Sequence, residues 1–88
     1  MTKTYKVNIT IKEFTKKKCP GGYKVGDSWL YEGKTLGGMC SSAYDTVIPF
    51  ARILRYGGEL PWADDKDVLL LSCPDPNVQV IYEVRRLR

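Results

Sequence analysis

Eighty-eight residues with 14 Lys and Arg against 10 Asp and Glu carry a net charge of +4 and an apolar fraction of 43%. That is the makeup of one small globular domain, 1–88, and not of a disordered or two-domain chain. The absence of histidine excludes Ser-His and Cys-His catalytic pairs and mixed Cys/His zinc sites within one chain. No long apolar run and no charged-then-apolar leader stands in the sequence, so neither a membrane span nor export is expected. The three cysteines, an odd number, then read as reduced thiols of a cytoplasmic protein.

The first expected element is a strand in which Tyr5, Val7, Ile9 and Ile11 alternate with Lys6, Asn8, Thr10 and Lys12, ending near Phe14. Lys16 to Lys18, Cys19, Pro20, Gly21 and Gly22 read as a loop of constrained shape. Ser28 to Tyr31 predicts a short strand with Trp29 and Tyr31 on one face. Within Met39 to Trp62, the spacing of Ala43, Val47, Phe50, Ala51 and Leu54 draws one apolar stripe along a helix. Ser42 and Asp45 suggest a capping box at its start, and Gly57-Gly58 a stop at its end. Pro49 lies inside, so a kink near Asp45 is expected. Pro61, Trp62, Asp64, Asp65 and Asp67 form a surface connection to an apolar run, Val68 to Cys73, short enough for a strand buried on both faces. Pro74 to Asn77 is a turn, and Val78, Val80, Tyr82 and Val84 alternate through a last strand paired with its predecessor as an antiparallel hairpin. The expected fold is α+β in the order β-β-α-β-β, a mainly antiparallel sheet with one helix across one face. The helical stripe is expected against Val7, Ile9, Ile11, Leu70, Val80 and Tyr82.

Four stretches carry a resemblance: Cys19-Pro-Gly-Gly-Tyr-Lys-Val-Gly-Asp27, Gly38-Met-Cys40-Ser-Ser-Ala43, Leu54-Arg-Tyr-Gly-Gly-Glu-Leu-Pro-Trp62 and Cys73-Pro-Asp-Pro76. In this order they resemble the signatures of a family of short uncharacterised cysteine-containing proteins, found largely in anaerobic bacteria and archaea. Tyr23 and Ser41 stand where that family often carries histidine and proline. The resemblance implies a small cytoplasmic protein and names no reaction.

The candidate chemistry lies in Cys19, Cys40 and Cys73, each at the end of an element beside a chain breaker. If the loop, the helix start and the hairpin turn meet at one end of the sheet, three thiolates suit an iron–sulfur cluster. They equally suit a zinc-like ion completed by Asp27 or Asp75. The alternative is that the cysteines are small buried hydrophobes of a structural or interaction protein. Cys40, at the positive end of the helix, is the position for thiol redox chemistry, although no Cys-x-x-Cys accompanies it and an enzyme is not the reading adopted. Asp27 and Asp75 are by default turn residues bound to local backbone, and Trp29, Trp62 and Tyr56 core or core-edge aromatics. The clusters Lys16 to Lys18 and Arg85, Arg86 and Arg88, with Lys12, open a nucleic-acid-binding reading. No recognition helix supports it, and lysines on an edge strand also discourage aggregation. The sequence thus points to a small accessory or binding protein, paired with itself or with a larger protein.

Overall fold

Residues 3–14, 22–74 and 79–88 are described by the computed structural model. Strand β1 (Lys6–Phe14) begins with the expected alternation, and Val7, Ile9 and Ile11 are buried. Its register against the last strand slips between Ile11 and Glu13, so Lys12 is the extra residue of a β-bulge. The bulge reverses the parity of the strand beyond it: Phe14, an even-numbered residue, packs against the core that the odd-numbered ones began. Strand β2 (Ser28–Tyr31) pairs antiparallel with β1, placing Trp29 opposite Ile9 and Tyr31 opposite Val7.

The helix α1 (Ser41–Arg55) buries Ala43, Val47, Ile48, Ala51 and Leu54. Ile48 takes the place in the stripe that the spacing assigned to Phe50, which is half-buried at its flank. The expected capping box does not form: Cys40 is the N-cap residue, its side chain makes no capping hydrogen bond, and its carbonyl accepts from Tyr44 N–H at 2.8 Å. The helix runs unbroken through Pro49, which is exposed along with Asp45, whose carbonyl loses its partner. Its stop is a Schellman motif. Gly57 N–H donates to Leu54 O at 3.2 Å and Gly58 N–H to Ile53 O at 2.8 Å, with Gly57 at φ +83°. Gly58 is required for a different reason: a Cβ there would lie 2.6 Å from Ile53 Cγ2 and 2.9 Å from Ile53 O.

Strands β3 (Val68–Ser72) and β4 (Val80–Leu87) pair antiparallel, and the sheet order is β2-β1-β4-β3. On β4, Val80, Tyr82 and Val84 join the core as their alternation predicts. On β3 only the parity of Leu69 faces that core. Leu70, expected beneath the helix, is 57% exposed on the other face of the sheet. The strand is therefore not buried on both faces: with one helix among the described residues, in the order β-β-α-β-β, those residues cover one face of the sheet and leave the other open.

Candidate functional site

Arg86, counted by sequence among the cations of a nucleic-acid patch, is 3% exposed. It continues the inward parity of β4 to the sheet end where α1 stops, and there its guanidinium meets backbone carbonyls of the helix end and of the chain that follows it. Nη1 donates to Leu54 O (3.1 Å) and Gly58 O (2.9 Å), Nη2 to Lys66 O (2.8 Å), and Nε to Asp67 Oδ1 (2.9 Å). Arg86 N–H also donates to Asp67 O at 2.7 Å. One planar fork of donors thus joins helix end, loop and hairpin, a geometry a lysine could not reproduce. Tyr5 completes the corner: its N–H donates to Arg55 O (2.8 Å), its carbonyl accepts from Arg55 Nη1 (3.1 Å), and Lys3, Arg86 and Arg88 lie 5.2, 5.4 and 5.2 Å from its ring centre. The Asp67 carboxyl is held below its ordinary value, chiefly by the Arg86 hydrogen bond; its own desolvation opposes this, and Arg88 adds to it. Arg86 is thus a brace of the fold and is withdrawn from any phosphate. Of its neighbours, Arg85 pairs with Glu83 and Arg88 with Asp67, both at 2.9 Å, while Lys16 to Lys18 lie outside the described residues.

The cysteine constellation is described in part. Cys40 and Cys73 are free and half-buried, while Cys19 and Asp75 lie outside the described residues. The helix C-terminus is tied to the start of β1 through Tyr5 and to the end of β4 through Arg86, while Cys40 at the helix start follows Gly38, which lies beside Trp29 of β2. Cys73 follows β3, and β1 ends at Phe14, five residues before Cys19 in sequence. Cys73 N–H donates to Val80 O (2.9 Å), but the return bond runs from Val80 N–H to Cys73 Sγ (3.3 Å), and Ser72 Oγ–H donates to the Cys73 carbonyl (3.0 Å). The sulfur thus serves as acceptor on the last rung of the hairpin. Asp27 is a turn residue, as expected: its Oδ2 accepts Lys24 N–H at 2.9 Å. Among the described residues no three His, Cys, Asp or Glu side chains are grouped so as to hold a metal, so Asp27 does not complete such a group with Cys40 and Cys73.

A third site was not anticipated. Trp62 is 68% exposed and Tyr56 is exposed as well, not core aromatics as their type suggested. Trp62 borders a groove of about 310 Å3 with Val68, Leu69 and Leu70, to which Asp64 and Asp65 add an acidic side. The groove follows an open edge of the sheet. Since Arg86 N–H bonds to Asp67 O and Cys73 N–H to Val80 O, the odd-numbered residues of β3 face β4. Val68, Leu70 and Ser72 therefore turn their backbone groups outward. The Val68 N–H is used by Asp65 O at 3.2 Å; among the described residues, no strand lies beside the outward groups of Leu70. The sequence signal was Trp62 itself, a large aromatic within an acidic surface connection. No protein-family model, curated protein or solved structure matches this chain.

Proposed function

We propose that this chain is a small accessory protein that works by binding another polypeptide along the β3 edge. The observation that carries the reading is the coincidence, along the five residues of β3, of outward backbone groups with an exposed Leu70, and beside them an exposed Trp62 that borders the same groove. Edges of this kind are normally blunted by lysine, proline, a bulge or extreme shortness. β3 holds no lysine or proline and keeps one register along β4. An extended segment added there gains main-chain hydrogen bonds and a groove for its side chains. The test is a photo-reactive amino acid placed at position 70 or, as a control, at position 30 on the opposite edge, in the native host. Discrete covalent adducts from position 70 alone are the expected result; no adduct, or equal adducts from both positions, would remove the reading.

A metal or iron–sulfur cluster held by Cys19, Cys40 and Cys73 is the second reading. It is supported by the Val80 N–H that donates to Cys73 Sγ, the kind of partner that orients a metal ligand. Protein purified anaerobically should then contain iron with sulfide, or zinc, and lose it on Cys73→Ser. Metal-free, colourless protein eliminates this reading without touching the first.

A further inference from the structure

We propose that the polypeptide on the β3 edge is a second copy of this chain, paired antiparallel about a two-fold axis through Leu70. The inference rests on the binding reading above and specifies its partner. Outward backbone groups sit on even-numbered residues, so a strand added to β3 must pair even with even. A two-fold through Leu70 satisfies this, setting Leu70 against Leu70, Leu69 against Leu71, and Val68 against Ser72 of the other copy. The strand Val68-Leu69-Leu70-Leu71-Ser72 is thus nearly its own complement, as an isologous interface requires. Leu70 would exchange both its hydrogen bonds with its counterpart, and each Val68 carbonyl would accept from the opposite Ser72 N–H.

The groove favours the same partner. Antiparallel pairing lays the C-terminal half of the second β3 along the N-terminal half of the first, which is where Trp62, Leu69 and Leu70 line the groove. It also holds the two acidic connections at opposite ends of the joined strands, where a parallel arrangement would stack them. A basic partner is the obvious alternative for a groove with two aspartates, but one oxygen of Asp65 is already engaged, accepting Asp67 N–H at 2.9 Å. A five-residue strand is about 17 Å long, so the contact lies below the standard interface size and association is expected to be weak.

The experiment is sedimentation equilibrium of the purified protein from about 1 µM to about 1 mM, the range suited to a small interface, with hydrogen exchange at the Leu70 amide. The expected result is a mass rising from 10.0 kDa toward twice that value, with the Leu70 amide protected as the mass rises. Leu70→Lys, which sets two like charges across the axis, should raise the dissociation constant on the order of 100-fold. Leu30→Lys, at an equally outward position on β2, should change it less than about two-fold, as expected of sites far apart. Thermal unfolding of both variants establishes that they fold. A monomer throughout the range, a dimer indifferent to Leu70→Lys, or one equally lost with Leu30→Lys overturns the proposal. If the purified protein is monomeric while position 70 cross-links to a different protein in the host, self-pairing is refuted and the binding function stands. A monomer without adducts refutes both.

Discussion

The corner around Arg86 and the edge around Leu70 invert the usual rule in opposite ways. A charged side chain is inside and a large apolar one is outside, on neighbouring strands of one sheet. What separates them is the state of the nearby backbone. At the corner, a guanidinium taken out of water must have acceptors, and the Leu54, Gly58 and Lys66 carbonyls with Asp67 supply them. At the edge, the backbone groups of Leu70 point away from β4 and impose nothing on the side chain. Burial follows the polar groups as much as the apolar ones.

The largest way to break the comparison is at the corner. Arg86→Met should destabilise by about 3 kcal/mol, because it removes the charged donor shared by the Leu54, Gly58 and Lys66 carbonyls and leaves Asp67 to Arg88 alone. Arg85→Met, one residue away and exposed, should stay within about 0.5 kcal/mol. Urea unfolding of the two variants measures the contrast directly, and similar values for both would show that Arg86 is no brace. Next in size is the turn that presents Gly58 O to Arg86. Gly58→Ala forces a Cβ against Ile53 and should cost about 1–3 kcal/mol, read from the same urea curves.

The pH dependence sharpens the corner further. Asp67 titrates in the folded protein below its ordinary value of 3.8, so its stabilisation is complete above that value and is lost as pH falls through the lower folded one. The unfolding midpoint should therefore fall with acid below about pH 4, and Asp67→Asn should be less stable at neutral pH and show a shallower acid limb. An unchanged acid limb in the variant would place the loss elsewhere. The smallest effect belongs to the edge: at high dilution Leu70→Ser should alter stability by no more than about 0.5 kcal/mol, in contrast to Leu69→Ser at the adjacent, buried position. Equal losses at 69 and 70 would mean that the parity of β3 is reversed.

The order of elements, the alternation in β1 and β4, the helical stripe and its glycine stop were all legible in the amino-acid sequence, because each depends on local spacing and on residues close in the chain. Asp27 as a turn residue was legible for the same reason. Three things that decide the corner and the edge were not. Val68 to Cys73 is apolar at nearly every position, so the run has no alternation to say which side is inward; the register against β4 and the covering helix decided that Leu69 lies beneath and Leu70 outside. Arg86 has the inward parity of Tyr82 and Val84, yet its place under the helix end depends on carbonyls contributed by residues 20 to 32 positions earlier. The edge, finally, exists only through the strand order, since the same β3 between two neighbours would offer no free backbone at all. Periodicity is carried by covalent sequence, whereas the partner of a backbone group or a buried charge is set by which distant segments the folded sheet brings beside it.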